Sequence, residues 1–176
     1  MYVSTKRYDH DRGYSIAYRQ HLADSHCKFI HGYSLAFEFE FESETLDVRN
    51  WVCDFGGFST LKDFLDENFD HTLLVAQDDP HLEQIKLLDT MGLAQVREVE
   101  KTGCEGLAEY LFEYMNTIWM KDNGYGDRVF CRRVRVWETP GNSAMVESNH
   151  GTYGSYLAYR EAQSDHSTSG EDDSHE

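Results

Sequence analysis

The sequence predicts an α+β fold, an antiparallel four-stranded sheet with helices packed on one face. Three observations carry that prediction. Phe37, Phe39 and Phe41 alternate with Glu38, Glu40 and Glu42, the period of a strand with one apolar face and one polar face. Leu107, Leu111, Met115 and Ile118 recur at the spacing of a helix stripe. Val129, Cys131, Val134 and Val136 are interleaved with Arg128, Arg132, Arg133 and Arg135. That pattern is a second long strand whose phase slips once, as a bulge near Arg132–Arg133 would make it.

In chain order, residues 13–19 form a short strand, and a polar loop carries His21 and His26 toward the long strand at 33–43. A helix is expected over 58–68, from Phe58, Leu61, Phe64 and Leu65, and another over 81–91, opening after Pro80 and closing at Gly92. Residues 94–100 add a small strand as an insertion. The longest helix runs over 103–121, where Thr102 and Glu105 have capping-box spacing. The Arg-rich strand covers 128–138, and a last strand follows Pro140-Gly141 over 143–147.

Composition narrows the function. A chain of 176 residues, 40% hydrophobic, supports one domain with a real core, assigned to residues 1–158. Residues 159–176 read as an acidic disordered tail, since Glu161 to Glu176 holds six carboxylates and no Lys or Arg. The formal net charge of −16 argues against non-specific nucleic-acid binding, which needs basic surface. No run of eighteen apolar residues predicts a membrane span, and Lys6 and Arg7 lead into polar residues rather than a secretion leader. A cytoplasmic protein with four free thiols follows: Cys27, Cys53, Cys104 and Cys131 are widely spaced and form no Cys-x-x-Cys pair.

Three pieces of sequence can carry chemistry. Cys27 stands four residues before His31 at the mouth of the long strand, and His31 and Tyr33 share one face of it. A thiol beside an imidazole or a metal can become a thiolate, although a lone Cys is commonly a small core residue. Asp70-His71 follows a helix; a carboxylate can fix the tautomer of a histidine base, while a solvated helix terminus is the plainer reading. Glu138 ends the Arg-rich strand, where a carboxylate can accept two hydrogen bonds from a guanidine-like ring edge or stay an ordinary exposed side chain.

Taken in order, these pieces resemble the 6-pyruvoyltetrahydropterin and 6-carboxytetrahydropterin synthases. The resemblance covers about residues 10–147. It runs through Tyr14-Ser-Ile-Ala17-Tyr18-Arg19, Cys27-Lys-Phe-Ile-His31-Gly-Tyr33, Asp54-Phe55 with Leu61-Lys62, Asp70-His71, Thr102-Gly-Cys-Glu105 and Trp137-Glu138-Thr139. It implies the tunnelling fold, in which trimers close their sheets into a barrel, hexamers are common and active sites lie between subunits. It implies that Cys27 moves a proton on the substrate, that Asp70 and His71 form the partner acid/base relay, and that Glu138 anchors the pterin with help from Cys104. Glu105 falls to either pterin binding or the capping box.

It further implies a lyase that converts 7,8-dihydroneopterin triphosphate to 6-carboxytetrahydropterin for 7-deazaguanine (queuosine-type) biosynthesis. The alternative is a non-catalytic pterin- or purine-binding protein on the same fold. The family holds zinc with three histidines. Two of those positions are Tyr18 and Tyr33 here, leaving His31. The site could be rebuilt with His26, which is better placed than His21, could take another metal such as ferric iron, or could do without metal.

Overall fold

The computed structural model describes residues 1–148 together with 155 and 158. The acidic tail expected at 159–176 lies outside the described residues. Seven strands form one sheet: β1 (Tyr2–Tyr8), β2 (Tyr14–Tyr18), β3 (His31–Ser43), β4 (Thr72–Ala76), β5 (Gln95–Val99), β6 (Phe130–Thr139) and β7 (Asn142–Glu147). The main path is β5-β4-β2-β3-β6-β7. Along one edge β3 pairs β2 through its first half and β1 through its second, and its other edge pairs β6.

This corrects the expected count of four and adds a parallel portion. The antiparallel centre is as expected, but β2–β4 and β4–β5 are parallel. The two strands without a clear sequence signal have physical reasons to lack one. All five residues of β4 are buried, so both of its faces are apolar and period two vanishes. By contrast β1 is an edge strand, mostly exposed, with Lys6 and Arg7 on it.

Helices α1 (Ser59–Phe69) and α3 (Gly103–Tyr114) lay Leu61, Leu65, Phe69, Leu107 and Leu111 on the Phe37/Phe39/Phe41 face in one continuous core. The short α2 (Leu82–Thr90) sends Ile85 into a satellite cluster with Leu73, Val75 and Val96. On the opposite, polar face of β3, Arg132 bridges Glu40 (3.0 Å) and Glu42 (3.2 Å), and Arg133 pairs with Glu40. Both glutamates are nearly buried, so their guanidinium partners satisfy charge that would otherwise be costly.

The bulge falls where the phase slip placed it: Arg133 faces Glu40 and Cys131 faces Phe41, leaving Arg132 as the extra residue. Asn116 secures it from the helix layer. Beyond α3 the helix widens into a π turn (Met115–Trp119) and continues over Met120–Asp122. From that turn the buried Asn116 amide donates to Cys131 O (2.9 Å) and Phe112 O (3.0 Å), while its Oδ1 accepts from Cys131 N (3.0 Å). Asn116→Ala would strand both backbone groups of Cys131 in the core. We expect a loss of about 3 kcal/mol in urea unfolding; a change under about 0.5 kcal/mol would show that the bridge is incidental.

Candidate active site

The core register sets the site. Tyr18, at the end of β2, pairs with His31, at the start of β3, and alternation puts Tyr33 on the same face two residues on. The three rings cluster: Tyr18–Tyr33 centroids are 5.3 Å apart, His31–Tyr33 5.0 Å and Tyr18–His31 5.9 Å. Tyr18 is 1% exposed, and its hydroxyl donates to Glu138 Oε1 on β6. Burial, then the hydrogen bond and charge of Glu138, push the Tyr18 phenol far above its ordinary range. Burial and Glu138 push Tyr33 the same way. Both are neutral phenols at any physiological pH.

His31 Nδ1 lies 2.6 Å from Phe29 O, and Nε2 lies 2.8 Å from the Tyr33 hydroxyl. A carbonyl only accepts, so Nδ1 carries the proton; in the neutral ring Nε2 then accepts from Tyr33.

Cys104 is the second residue of α3 and is buried. Burial, reinforced by the Glu138 and Glu105 carboxylates, pushes its thiol up to about 12, so it is no thiolate. It interacts electrostatically with Tyr18, Tyr33 and Glu138, which places it in the same group. Cys27 sits in a 3-10 turn (His26–Lys28) capped by Ser25 and is close enough to Tyr33 to influence it. The structure thus gathers Cys27, His31, Cys104 and Glu138 around the two tyrosines.

Glu105 is exposed at the start of α3. The expected capping box is absent: Thr102 is the N-cap, but its hydroxyl accepts no N–H from the helix and instead donates to Arg19 O at 2.8 Å. The same loop is tied by Gln20 Nε2 donating to Thr102 O (3.0 Å). Gly103 has a φ of +93°, a left-handed conformation that favours glycine, and a Cβ there would lie 2.0 Å from Gln20 Nε2 and displace the amide that ties this loop.

Asp70 and His71 do pair, with Nδ1 2.8 Å from Asp70 Oδ1, but elsewhere. Asp70 accepts weakly from Ser15 N, at the beginning of β2. Cys27 O accepts from Gln20 N, just past the end of β2. Five residues of extended chain separate these points, about 15 Å. His71 is 81% exposed at its side chain and has a left-handed φ of +56°, an uncommon conformation for a non-glycine residue.

One anchoring pair gave no sequence signal. Arg19 grips Asp79 with two hydrogen bonds, 2.7 and 2.9 Å, and its remaining nitrogen donates to Lys28 O at 3.3 Å. Asp79 is nearly buried and also accepts from His81 N. The pair therefore clamps β2, the lead into α2 and the Cys27 turn together. The Arg19 hydrogen bond holds the Asp79 carboxyl below the usual carboxylate range. Such a group contributes stability that is complete above its unfolded value, about 4, and is lost as pH falls through the folded value. Asp79→Asn should cost about 3 kcal/mol at pH 7. The gap to the wild-type chain should shrink below about pH 4 in acid unfolding; a pH-independent gap would mean that the charge is not what matters.

The residues present do not fit a three-histidine zinc site. Zinc takes imidazole, thiolate or carboxylate ligands, whereas two positions are protonated phenols and both His31 nitrogens have hydrogen-bond partners. His26 is exposed on the 3-10 turn. Among the described residues no three His, Cys, Asp or Glu side chains converge as metal ligands would.

Comparison with known proteins agrees with the fold. The family model described as 6-pyruvoyl tetrahydropterin synthase matches residues 8–149. The chain is 35% identical over 142 residues to the 6-carboxy-5,6,7,8-tetrahydropterin synthase of Rickettsia conorii, covering 80% of this chain and 96% of that protein. Against the protein of the same name from Rickettsia felis it is 29% identical over 141 residues, with coverage of 80% and 96%. An uncharacterised protein from Wolinella succinogenes superposes with a TM-score of 0.68 at 21% identity, covering 84% of this chain and 98% of that one. The 6-pyruvoyl tetrahydropterin synthase of Caenorhabditis elegans superposes at 0.54 and 17% identity, with coverage of 85% and 98%. At those identities the solved structures speak for the fold. The family match over residues 8–149, most of the described chain, settles the assignment: the chain belongs to the 6-pyruvoyl tetrahydropterin synthase family.

Proposed function

We propose that this protein is a lyase of the 6-carboxytetrahydropterin synthase type. It converts 7,8-dihydroneopterin triphosphate to 6-carboxytetrahydropterin with release of acetaldehyde and triphosphate, a cytoplasmic step toward 7-deazaguanine compounds. The observation that carries this reading is that Cys27, on its turn, and Glu138, on β6, both lie close enough to Tyr33 to act on it, within a chain 35% identical to a protein of that name.

Glu138 accepts the N–H edge of the pterin, a charge-assisted contact, while Tyr18 holds Oε1 in place. Cys27 takes or returns the proton on the substrate side chain. The Asp70–His71 pair, about 15 Å away along β2, reaches a Cys27 only in another copy of the chain. We therefore place the working site between two subunits of a homo-oligomer, each giving Cys27 to one site and Asp70–His71 to the next. The exposure of His71 and its Nδ1 bond to Asp70, which leaves Nε2 outward, support that reading.

The test is to incubate the purified protein with 7,8-dihydroneopterin triphosphate and identify products by mass spectrometry. The lyase reading expects 6-carboxytetrahydropterin and acetaldehyde. Tight binding without any product would instead establish a pterin-binding protein.

A further inference from the structure

The exchange of two imidazoles for two phenols has left a connected arrangement. Tyr18 hydrogen-bonds to Glu138 and Tyr33 to His31, with the tyrosine rings 5.3 Å apart. The chain Phe29 O, His31 and Tyr33 is aligned as a proton relay: the carbonyl holds Nδ1–H, Nε2 is directed at the Tyr33 hydroxyl, and that hydroxyl has lone pairs to spare. Tyr18 is sealed in the core, whereas Tyr33 is only half-buried, so Tyr33 is the phenol that a ligand can reach.

We infer that this constellation is a metal-free replacement for the zinc centre, in which Tyr33 and His31 together act as the base for a side-chain hydroxyl of the bound pterin. The inference rests on the proposed lyase reading for its substrate. The hydroxyl proton passes to Tyr33 Oη as the Tyr33 proton passes to His31 Nε2. The electron pair of the broken O–H bond stays on the substrate oxygen, and the resulting alkoxide faces an imidazolium whose other N–H is held by Phe29 O. Tyr33 is neutral before and after, so its raised proton affinity does not impede the transfer. A cation as Lewis acid would stabilise the same alkoxide; here the paired positive charge of His31 does so. Tyr18 is a positioning residue: its hydroxyl keeps Glu138 oriented.

The experiment has two readouts on the full chain. The first is zinc per chain after incubation with excess zinc and gel filtration. The wild-type protein should retain less than about 0.1 zinc per chain, and the Tyr18→His/Tyr33→His double variant, with three imidazoles on one face, about one. Near-stoichiometric zinc on the wild-type chain overturns the inference. The second is turnover: Tyr33→Phe should lower kcat about 100-fold with KM little changed, and a chelator should leave wild-type turnover unaltered. Unchanged kcat in Tyr33→Phe, or loss of wild-type activity to the chelator, overturns it as well. If no variant turns over dihydroneopterin triphosphate, the lyase reading fails, while the zinc measurement still decides whether the metal centre has been replaced.

Discussion

Cys27→Ala should reduce turnover of dihydroneopterin triphosphate by about 1,000-fold while leaving pterin binding within about twofold. Removing a positioned acid/base group costs on the order of 10²–10⁴ in rate, and Cys27 is the only thiol of the site that can serve. Cys104 stands in the same group but is buried and held protonated, its thiol pushed up to about 12. Cys27 lies instead on a partly exposed turn whose backbone is fixed by Ser25, Gln20 and, through Lys28, Arg19. Cys27 is only partly buried and is not one of the buried core residues, so truncation should leave the fold intact. Full activity in Cys27→Ala would remove the thiol from the mechanism.

Glu138→Gln should have the opposite signature, weakening pterin binding by about 100-fold. A carboxylate can accept two N–H groups from a ring edge, whereas the amide puts an NH₂ against one of them and loses the charge assistance. Glutamine is the informative substitution because its carbonyl can still accept from Tyr18. Glu138→Ala would leave the Tyr18 hydroxyl buried without a partner, at a stability cost of about 2 kcal/mol, and would mix a folding defect with a binding one. Calorimetry with a dihydropterin separates the two substitutions; equal affinity for the wild-type chain and Glu138→Gln would show that the ring is anchored elsewhere.

What could be read from the sequence divides along physical lines. Strands β3 and β6 were plain because each has one apolar and one charged face, and the slip at Arg132 marked the bulge before its partner Asn116 was known. Strand β4 was invisible to the same reasoning: Leu74 faces the main core while Leu73 and Val75 face α2, so no alternation survives. The Thr102–Glu105 spacing suggested a capping box, yet tertiary contact with Arg19 O captured the threonine.

The site behaves likewise. Cys27, His31 and Glu138 could be named from motif order, and the structure brings them together. The contacts that define their chemistry could not, because they join residues far apart in sequence: Tyr18 with Glu138, 120 positions on, and Arg19 with Asp79, 60 positions on. Nor does sequence order reveal that Asp70–His71, though paired with each other, stands at the opposite end of β2 from Cys27.

That separation makes the shared site the central claim, and subunit complementation tests it most directly. Cys27→Ala and His71→Ala chains, each inactive alone, would be unfolded together, refolded as a mixture and assayed. If each site takes Cys27 from one copy and His71 from another, about a quarter of the sites in a random mixture carry both residues, and about a quarter of wild-type activity returns. A mixture that assembles normally and stays as inactive as its parents would contradict a site built from two copies.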